Sequence, residues 1–330
     1  GAQGGWPLSM FLDENAVPFT GGTYFPPNEM QGRPSFAQVL ENVSKVYNEN
    51  KNKIISQVFQ LRTVFKDLSR KDAIVKQDLE QYADKIIQYF DEINGGFKGS
   101  PKFPQFYIFE TIFYYYKKNK NKNFLESVEK LLKNVSSRGI YDHLEGGIAR
   151  YTVDEKWIIP HFEKMLYDNI LYVDLLNKYI QNNDSDYFKK KLIQTIQFIN
   201  SQFLSEDELL GSAYDADSEG VEGKYYTWKY KDLENFLGND FEIFKKKYSI
   251  NEKGNFEGLN ILVEKNNIQF SEKENALVSN IEQKLLNERK RRTKPFFDRK
   301  VQTDLNCYWI YTTLFSSLIL NDKKLLQKSL

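Results

Sequence analysis

Residues 139–169 read GIYDHLEGGIARYTVDEKWIIPHFEKMLYDN. Both histidines of the chain, His143 and His161, fall in this stretch, with Asp142, Glu145, Arg150, Asp154, Glu163 and Asp168 around them and the glycine pair Gly146–Gly147 between them. Pro160 suits the first turn of a helix, where a missing N–H is tolerated. Phe162, Leu166, Ile170, Val173, Leu176 and Ile180 then recur at helical spacing. The stretch therefore reads as a glycine-punctuated loop, dense in titratable groups, running into a helix.

The same pattern repeats outward. Apolar positions make residues 50–93 helical, with Gly95–Gly96 as a stop, and predict helices at about 104–118 and 122–136, ended by Gly139. Downstream, helices are expected at about 187–203, 231–248, 273–291 and 304–320, a short aromatic strand at Lys224–Trp228, and an irregular or hairpin segment at 249–272. Glycine-aromatic loops thus fall at 95–104, 141–160 and 211–228, each between helices. Recurrence at this spacing predicts repeated helical hairpins. Hairpins stacked in a ring gather such loops at one end, where sites are built. The helical part from about 75 to 330 is too short for six hairpins, so an incomplete ring is expected.

Residues 1–34 differ. Leu8–Leu12 and Val17–Phe19 read as two strands around the turn Asp13–Ala16, Trp6–Pro7 is a candidate cis peptide, and a helix follows over about 35–47. This series looks like the second half of a thioredoxin-like domain. The expected division is 1–70, a partial thioredoxin-like domain with a connecting helix, and 71–330, helical hairpins.

Composition narrows the function classes. Lys+Arg 46 against Asp+Glu 45 leaves a net charge of +1, so no global field selects nucleic acid or a membrane. The single cysteine, Cys307, allows no internal disulfide. No apolar run approaches the ~20 residues that span a bilayer. The expectation is a cytoplasmic protein without nucleic-acid or membrane partners and without a cofactor, whose natural N-terminus lies upstream of Gly1.

Among the candidate site residues, His161 after Pro160 is expected in a first helical turn, where the helix dipole favours a neutral imidazole. His143 has Asp142 beside it to orient its ring. Two histidines on opposite sides of a substrate carbon could move a proton on and off it. Arg150 is a natural fork for a carboxylate or phosphate. Glu163 and Asp168, five apart on one helix, would stand about 140° apart around its axis and so on different faces. Asp215 and Asp217 begin what resembles a calcium loop, but the position that needs a bidentate glutamate is Tyr226, so either a carboxylate rim for sugar hydroxyls or a solvated acidic turn is expected instead of metal. Trp157, with Tyr151, Tyr214 and Trp228, could stack on sugar faces. Lys102 is a rim residue or part of a rigid connector, and Arg289–Lys294 reads as a solvated helix end.

Six stretches together, GGWPLSMFLDENAVPFTGGTYFPP, GGFKGSPKFP, the 139–169 stretch, AYDADSEGVEGKYYTW, GNFEGLNIL and RKRRTKPFFDRK, resemble the family of thioredoxin-domain proteins that continue into an (α/α)6 toroid, the spermatogenesis-associated protein 20 type. The resemblance implies a toroid similar to N-acylglucosamine 2-epimerases and six-hairpin glycosidases, with a carbohydrate-type pocket at its loop end. It also implies that the family's cysteine-bearing thioredoxin segment lies upstream of Gly1. The sequence departs from the family at Lys98, where glycine is usual, at Arg299, where a second aspartate is usual, and at Leu305-Asn306-Cys307, which replaces Trp-Asn-Gly. The leading expectation is sugar isomerase or epimerase chemistry with His143 and His161 as the acid–base pair and Arg150, Asp215, Asp217, Trp157, Lys102 and Glu163 as substrate contacts. A thioredoxin-linked accessory or ligand-binding role and a glycoside hydrolase are the alternatives.

Overall fold

The computed structural model describes residues 7–30, 32–68, 79–205, 207–266 and 268–330. The Trp6–Pro7 bond lies outside them. The chain divides into two compact units, Gly1–Gln77 and Asp78–Leu330.

In the first unit, β1 (Ser9–Leu12) and β2 (Pro18–Gly22) form an antiparallel hairpin. Its turn is closed by Asp13, whose Oδ1 accepts from the N–H groups of Asn15 at 3.0 Å and Val17 at 2.8 Å. Two helices follow, α1 (Phe36–Glu49) and α2 (Lys51–Leu68). Ser35 and Gln38 close the N-terminus of α1 with a reciprocal capping box. Val17, Ile54 and Val58 form the small core, with Phe19 and Tyr47 against it.

The second unit is mainly helical. After α3 (Leu79–Ile86) come α4 (Phe106–Asn119) and α5 (Lys122–Ser137), then α6 (Leu166–Ile180) and α7 (Asp186–Gln202). Next are α8 (Tyr230–Leu237), α9 (Phe241–Lys247) and α10 (Glu272–Arg289), and finally α11 (Thr303–Leu320) and α12 (Lys323–Ser329). Short links with side-chain caps (Asn121, Ser185 and Asp322) join α4 to α5, α6 to α7 and α11 to α12, so each pair is a helical hairpin. The first helices of the three hairpins pack side by side, with α6 between α4 and α11, and each second helix packs on its own partner. This is the toroid-like arrangement of hairpins that the repeating loops predict. Aromatic and aliphatic side chains from α4 to α7, with Trp309 of α11 and Leu325 of α12, make one continuous core. Helices α8–α10 are inserted between the second and third hairpins and build a second cluster around Leu233, Phe244 and Ile281.

The loops that lead into α4, α6 and α11 meet at one end. β3 (Tyr151–Thr152) pairs with β4 (Pro160–His161), and Thr152 bridges to Lys102 of the preceding loop. β5 (Lys164–Met165) pairs with β6 (Ala213–Tyr214), and β6 with β9 (Phe297–Asp298). The hairpin of β7 (Asp217–Ser218) and β8 (Val221–Glu222) lies between them in sequence.

Three expectations are corrected here. Pro160 does not open a helix, because it pairs with Thr152 in β4 and α6 begins only at Leu166. A strand tolerates proline at a position that makes no ladder donation, and here the neighbouring bond, Val153 N–H to the Ile159 carbonyl, carries the ladder. Residues 224–226 lie in a turn, and Trp228 makes only an isolated bridge to Asn260. The helix expected over 231–248 is divided at Gly238, whose φ of 51° breaks the run.

Candidate functional site

The first half of the 139–169 stretch is held by a buried ion cluster. Asp142 Oδ1 accepts from Arg289 Nη1 at 2.8 Å and from the N–H groups of Leu144 and Glu145. Its Oδ2 accepts from Arg289 Nη2 at 2.9 Å and Lys164 Nζ at 2.7 Å. Burial opposes the Asp142 charge, yet the Arg289 and Lys164 cations hold its carboxyl well below the usual range. Arg289 also reaches Glu145 at 3.2 Å and lies over the rings of Tyr225 and Tyr226. Lys164 donates further to the Gly146 carbonyl at 3.0 Å. Asn169 clamps the other side of the loop, accepting from Ile148 N–H and donating to its carbonyl. Gly147, at φ 78°, leaves space that a Cβ would fill 2.4 Å from the Phe198 ring.

His143 belongs to this locked half. Its side chain is fully buried, and Nε2–H donates to the Arg138 carbonyl at 3.0 Å. That tautomer leaves the Nδ1 lone pair facing Lys191 Nζ at 3.3 Å, with Glu264 Oε1 3.4 Å away. Burial and then the Lys191 cation push its pKa below the ordinary value, so the ring is neutral and both nitrogens are engaged. Of the two cavities that His143 borders, the one it shares with Asp142, Lys164, Phe162 and Arg289 measures about 40 Å³. That is room for about one water and not for a sugar ring.

The second half is open. Tyr151 and His161 face each other across β3 and β4 with their rings stacked 5.0 Å apart, and Phe103 lies 4.7 Å beyond Tyr151. His161 is half-buried, and its Nδ1 lies 2.7 Å from Glu222 Oε1. With the carboxylate accepting, Nδ1 carries a proton, and Nε2 makes no hydrogen bond among the described residues. Arg150 Nη1 donates to Glu163 Oε2 at 3.1 Å and its Nε to the Tyr167 hydroxyl at 3.1 Å. Asp168, in the first turn of α6, is buried, and its Oδ2 has no hydrogen-bond partner among the described residues. Burial pushes this carboxyl up to about 8, and the nearby Arg150 charge and Tyr167 hydroxyl do not offset it.

The two histidines therefore stand in separate networks, and the geometry supplies no opposed pair. His161 lies in a strand, so a helix dipole has no bearing on it. Glu163 lies before α6, which removes the face separation from Asp168 that a shared helix would impose; both carboxyls neighbour Arg150. Trp157 is buried and donates Nε1–H to the Asn94 carbonyl at 2.9 Å, so it is a core post with no free face. Lys102 is buried beneath it, 2.6 Å from Asp91 and 3.0 Å from the Glu155 carbonyl. Burial works against the Asp91 charge, but the Asn94 N–H and the Lys102 ammonium hold its pKa at about 2. Asp215 caps its own turn, accepting from Ala216 N–H at 2.7 Å, and Asp217 sits exposed in β7. Tyr214 packs on Phe297, and Trp228 is buried under Arg292 at 3.9 Å.

Tyr167, Glu222, Lys164 and Arg289 are site or support residues that reading the sequence misses. The run 289–294 is no simple solvated end, since Arg289 is only 2% exposed and Arg292 donates to the carbonyls of Tyr225 and Thr227. Their spacing of one helical turn was the available signal. Among the described residues, no group of three or more His, Cys, Asp or Glu could hold a metal ion. Nor is any helix there long and apolar enough to cross a membrane.

Residues 1–66 match the Thioredox_DsbH family model, described as "Protein of unknown function, DUF255". Human spermatogenesis-associated protein 20 is 26% identical over 368 residues, which cover 98% of this chain and 47% of that protein. The mouse protein of the same name is 27% identical, with 90% of this chain and 43% of that protein covered. The chain thus spans about half the length of the curated relatives it matches. Among solved structures, a sugar epimerase from a ruminal bacterium aligns at 13% identity over 75% of this chain and 65% of that one, with a TM-score of 0.37. Cellobiose 2-epimerase from Bacillus thermoamylovorans aligns at 10% identity over 76% of this chain and 85% of that one, with a TM-score of 0.34. Over nearly its whole length the chain is similar to the spermatogenesis-associated protein 20 proteins, as its glycine-aromatic motifs imply.

Proposed function

We propose that the open half of the stretch performs acid–base chemistry on a sugar-type substrate, of the isomerase or epimerase kind. One observation carries the reading: Asp168 is a buried carboxyl with an unpartnered oxygen and a pKa of about 8, so it holds a proton at neutral pH. A protonated carboxyl can donate to a carbonyl oxygen where charge develops. His161 is the base, with Nδ1 oriented by Glu222 and Nε2 free to accept. Removal of the proton next to the carbonyl by Nε2, with the Asp168 proton passing to the oxygen, gives an enediol; return of a proton to carbon completes isomerisation or inversion. Arg150, whose Nη2 takes part in neither of its two hydrogen bonds, fits a substrate oxygen. Phe103, at the end of the His161–Tyr151–Phe103 stack, offers an exposed ring beside it.

Proton exchange is the test. Aldoses, ketoses and disaccharides incubated in D2O are followed by NMR for deuterium at the carbon next to the carbonyl. The expected result is incorporation that depends on the protein and falls at least about 100-fold in His161→Ala. Absence of incorporation with every sugar, or full incorporation by His161→Ala, contradicts the proposal.

A further inference from the structure

A groove of about 860 Å³ runs between the C-terminal half of α5, the N-terminal half of α7, the segment after Val263 and the first half of α10. Buried His143 lies in its lining, but Arg150, His161 and Asp168 do not, so it is distinct from the open half of the site above. Its volume lies in the range of small-molecule sites. Five lysines line it against three glutamates. Two of these pairs neutralise internally, Lys247 with Glu282 at 2.6 Å and Lys191 with Glu264 at 3.0 Å. Lys133 and Lys190 stand exposed at its rim with no ion-pair partner among the described residues, and Lys265 Nζ is bonded only to the Lys245 carbonyl. The groove thus keeps a positive excess.

Its floor is built for charge. Lys191 is 6% exposed and is fixed by Glu264, by His143 Nδ1 and by the Tyr141 ring at 4.3 Å. The Tyr187 hydroxyl donates to the other Glu264 oxygen at 2.9 Å. Burial lowers the Lys191 pKa, and the Glu264 carboxylate opposes this, so an added anion would strengthen its charged form. Ile193, Ile268 and Phe270 form an apolar wall beside the cations.

We propose that this groove binds a small organic anion, a carboxylate or phosphate monoester on an apolar body, with Lys133 and Lys190 meeting the charge over the Lys191 floor and the wall of Ile193, Ile268 and Phe270 meeting the body. Isothermal titration of the full chain with phenyl phosphate, phenylacetate and the neutral control benzyl alcohol tests it. The expected result is 1:1 binding of one aromatic anion, none of benzyl alcohol, and at least a tenfold loss of affinity in Lys133→Gln/Lys190→Gln. Both positions are exposed, so the variant should fold, which circular dichroism checks. The preferred anion separates phosphate from carboxylate. Failure of both anions to bind at millimolar concentration, or equal binding by the double variant, overturns the proposal.

Discussion

His143 and His161 lie in one stretch of chain, yet their surroundings differ in kind. Around His143 the central acid and base are saturated, Asp142 by Arg289 and Lys164 and the imidazole by the Arg138 carbonyl and Lys191, while Glu145 Oε1 and Arg289 Nε at the edge of the cluster have no hydrogen-bond partner among the described residues. Around His161 capacity is left over, with one imidazole nitrogen unbonded, a half-exposed Arg150 and the unpartnered Asp168 oxygen. A density of titratable residues marks both halves alike. What separates scaffold from chemistry is whether the central carboxyl and imidazole are themselves fully bonded, as Asp142 and His143 are and Asp168 and His161 are not, and that depends on residues distant in sequence, such as Arg289 and Glu222.

The largest effect expected from breaking the locked half is at Arg289. Arg289→Met leaves Asp142 buried with Lys164 as its one cation, which should cost about 3–5 kcal/mol in urea unfolding. Gly147→Ala places a Cβ against Phe198 at a positive φ; a loss of about 2–3 kcal/mol is expected by the same measurement. A loss below about 1 kcal/mol in either variant would show that the ion cluster and its loop are not rigid.

In the open half the expected effects are on pH dependence and turnover. Asp168 has a folded pKa of about 8 against 3.8. Between these values the folded chain holds a proton that the unfolded chain lacks. Its contribution is present below the lower value and lost as pH rises through the upper one. Asp168→Asn should remove a fall in stability approaching about 1.4 kcal/mol per pH unit between roughly pH 5 and 7. Parallel stability–pH curves for the two proteins would contradict the assignment. Smaller still, Glu222→Gln should change stability by less than about 1 kcal/mol, since the pair is partly exposed, while slowing the deuterium exchange about tenfold.

The helices were legible because their apolar periodicity and stops are local, and α4, α5, α7, α10 and α11 lie within a few residues of expectation. The convergence of loops was legible from their recurrence. Pro160 was not, because a proline suits a first helical turn and a non-donating strand position equally, and only the Thr152 pairing decides. Trp157 read as a sugar-stacking ring and Lys102 as a rim or connector residue, because nothing local announces that Asn94 and Asp91 hold them in the interior. Asp168 was visible as a residue but not as a site, since its raised pKa comes from burial that the whole bundle provides.

The division of the stretch is tested most directly by urea unfolding of His143→Ala and His161→Ala side by side. His143→Ala removes a buried ring and strips Lys191 and the Arg138 carbonyl of a partner, so a loss of about 3 kcal/mol is predicted. His161→Ala should stay within about 1 kcal/mol of the parent. Equal losses, or a larger loss for His161→Ala, would contradict the account.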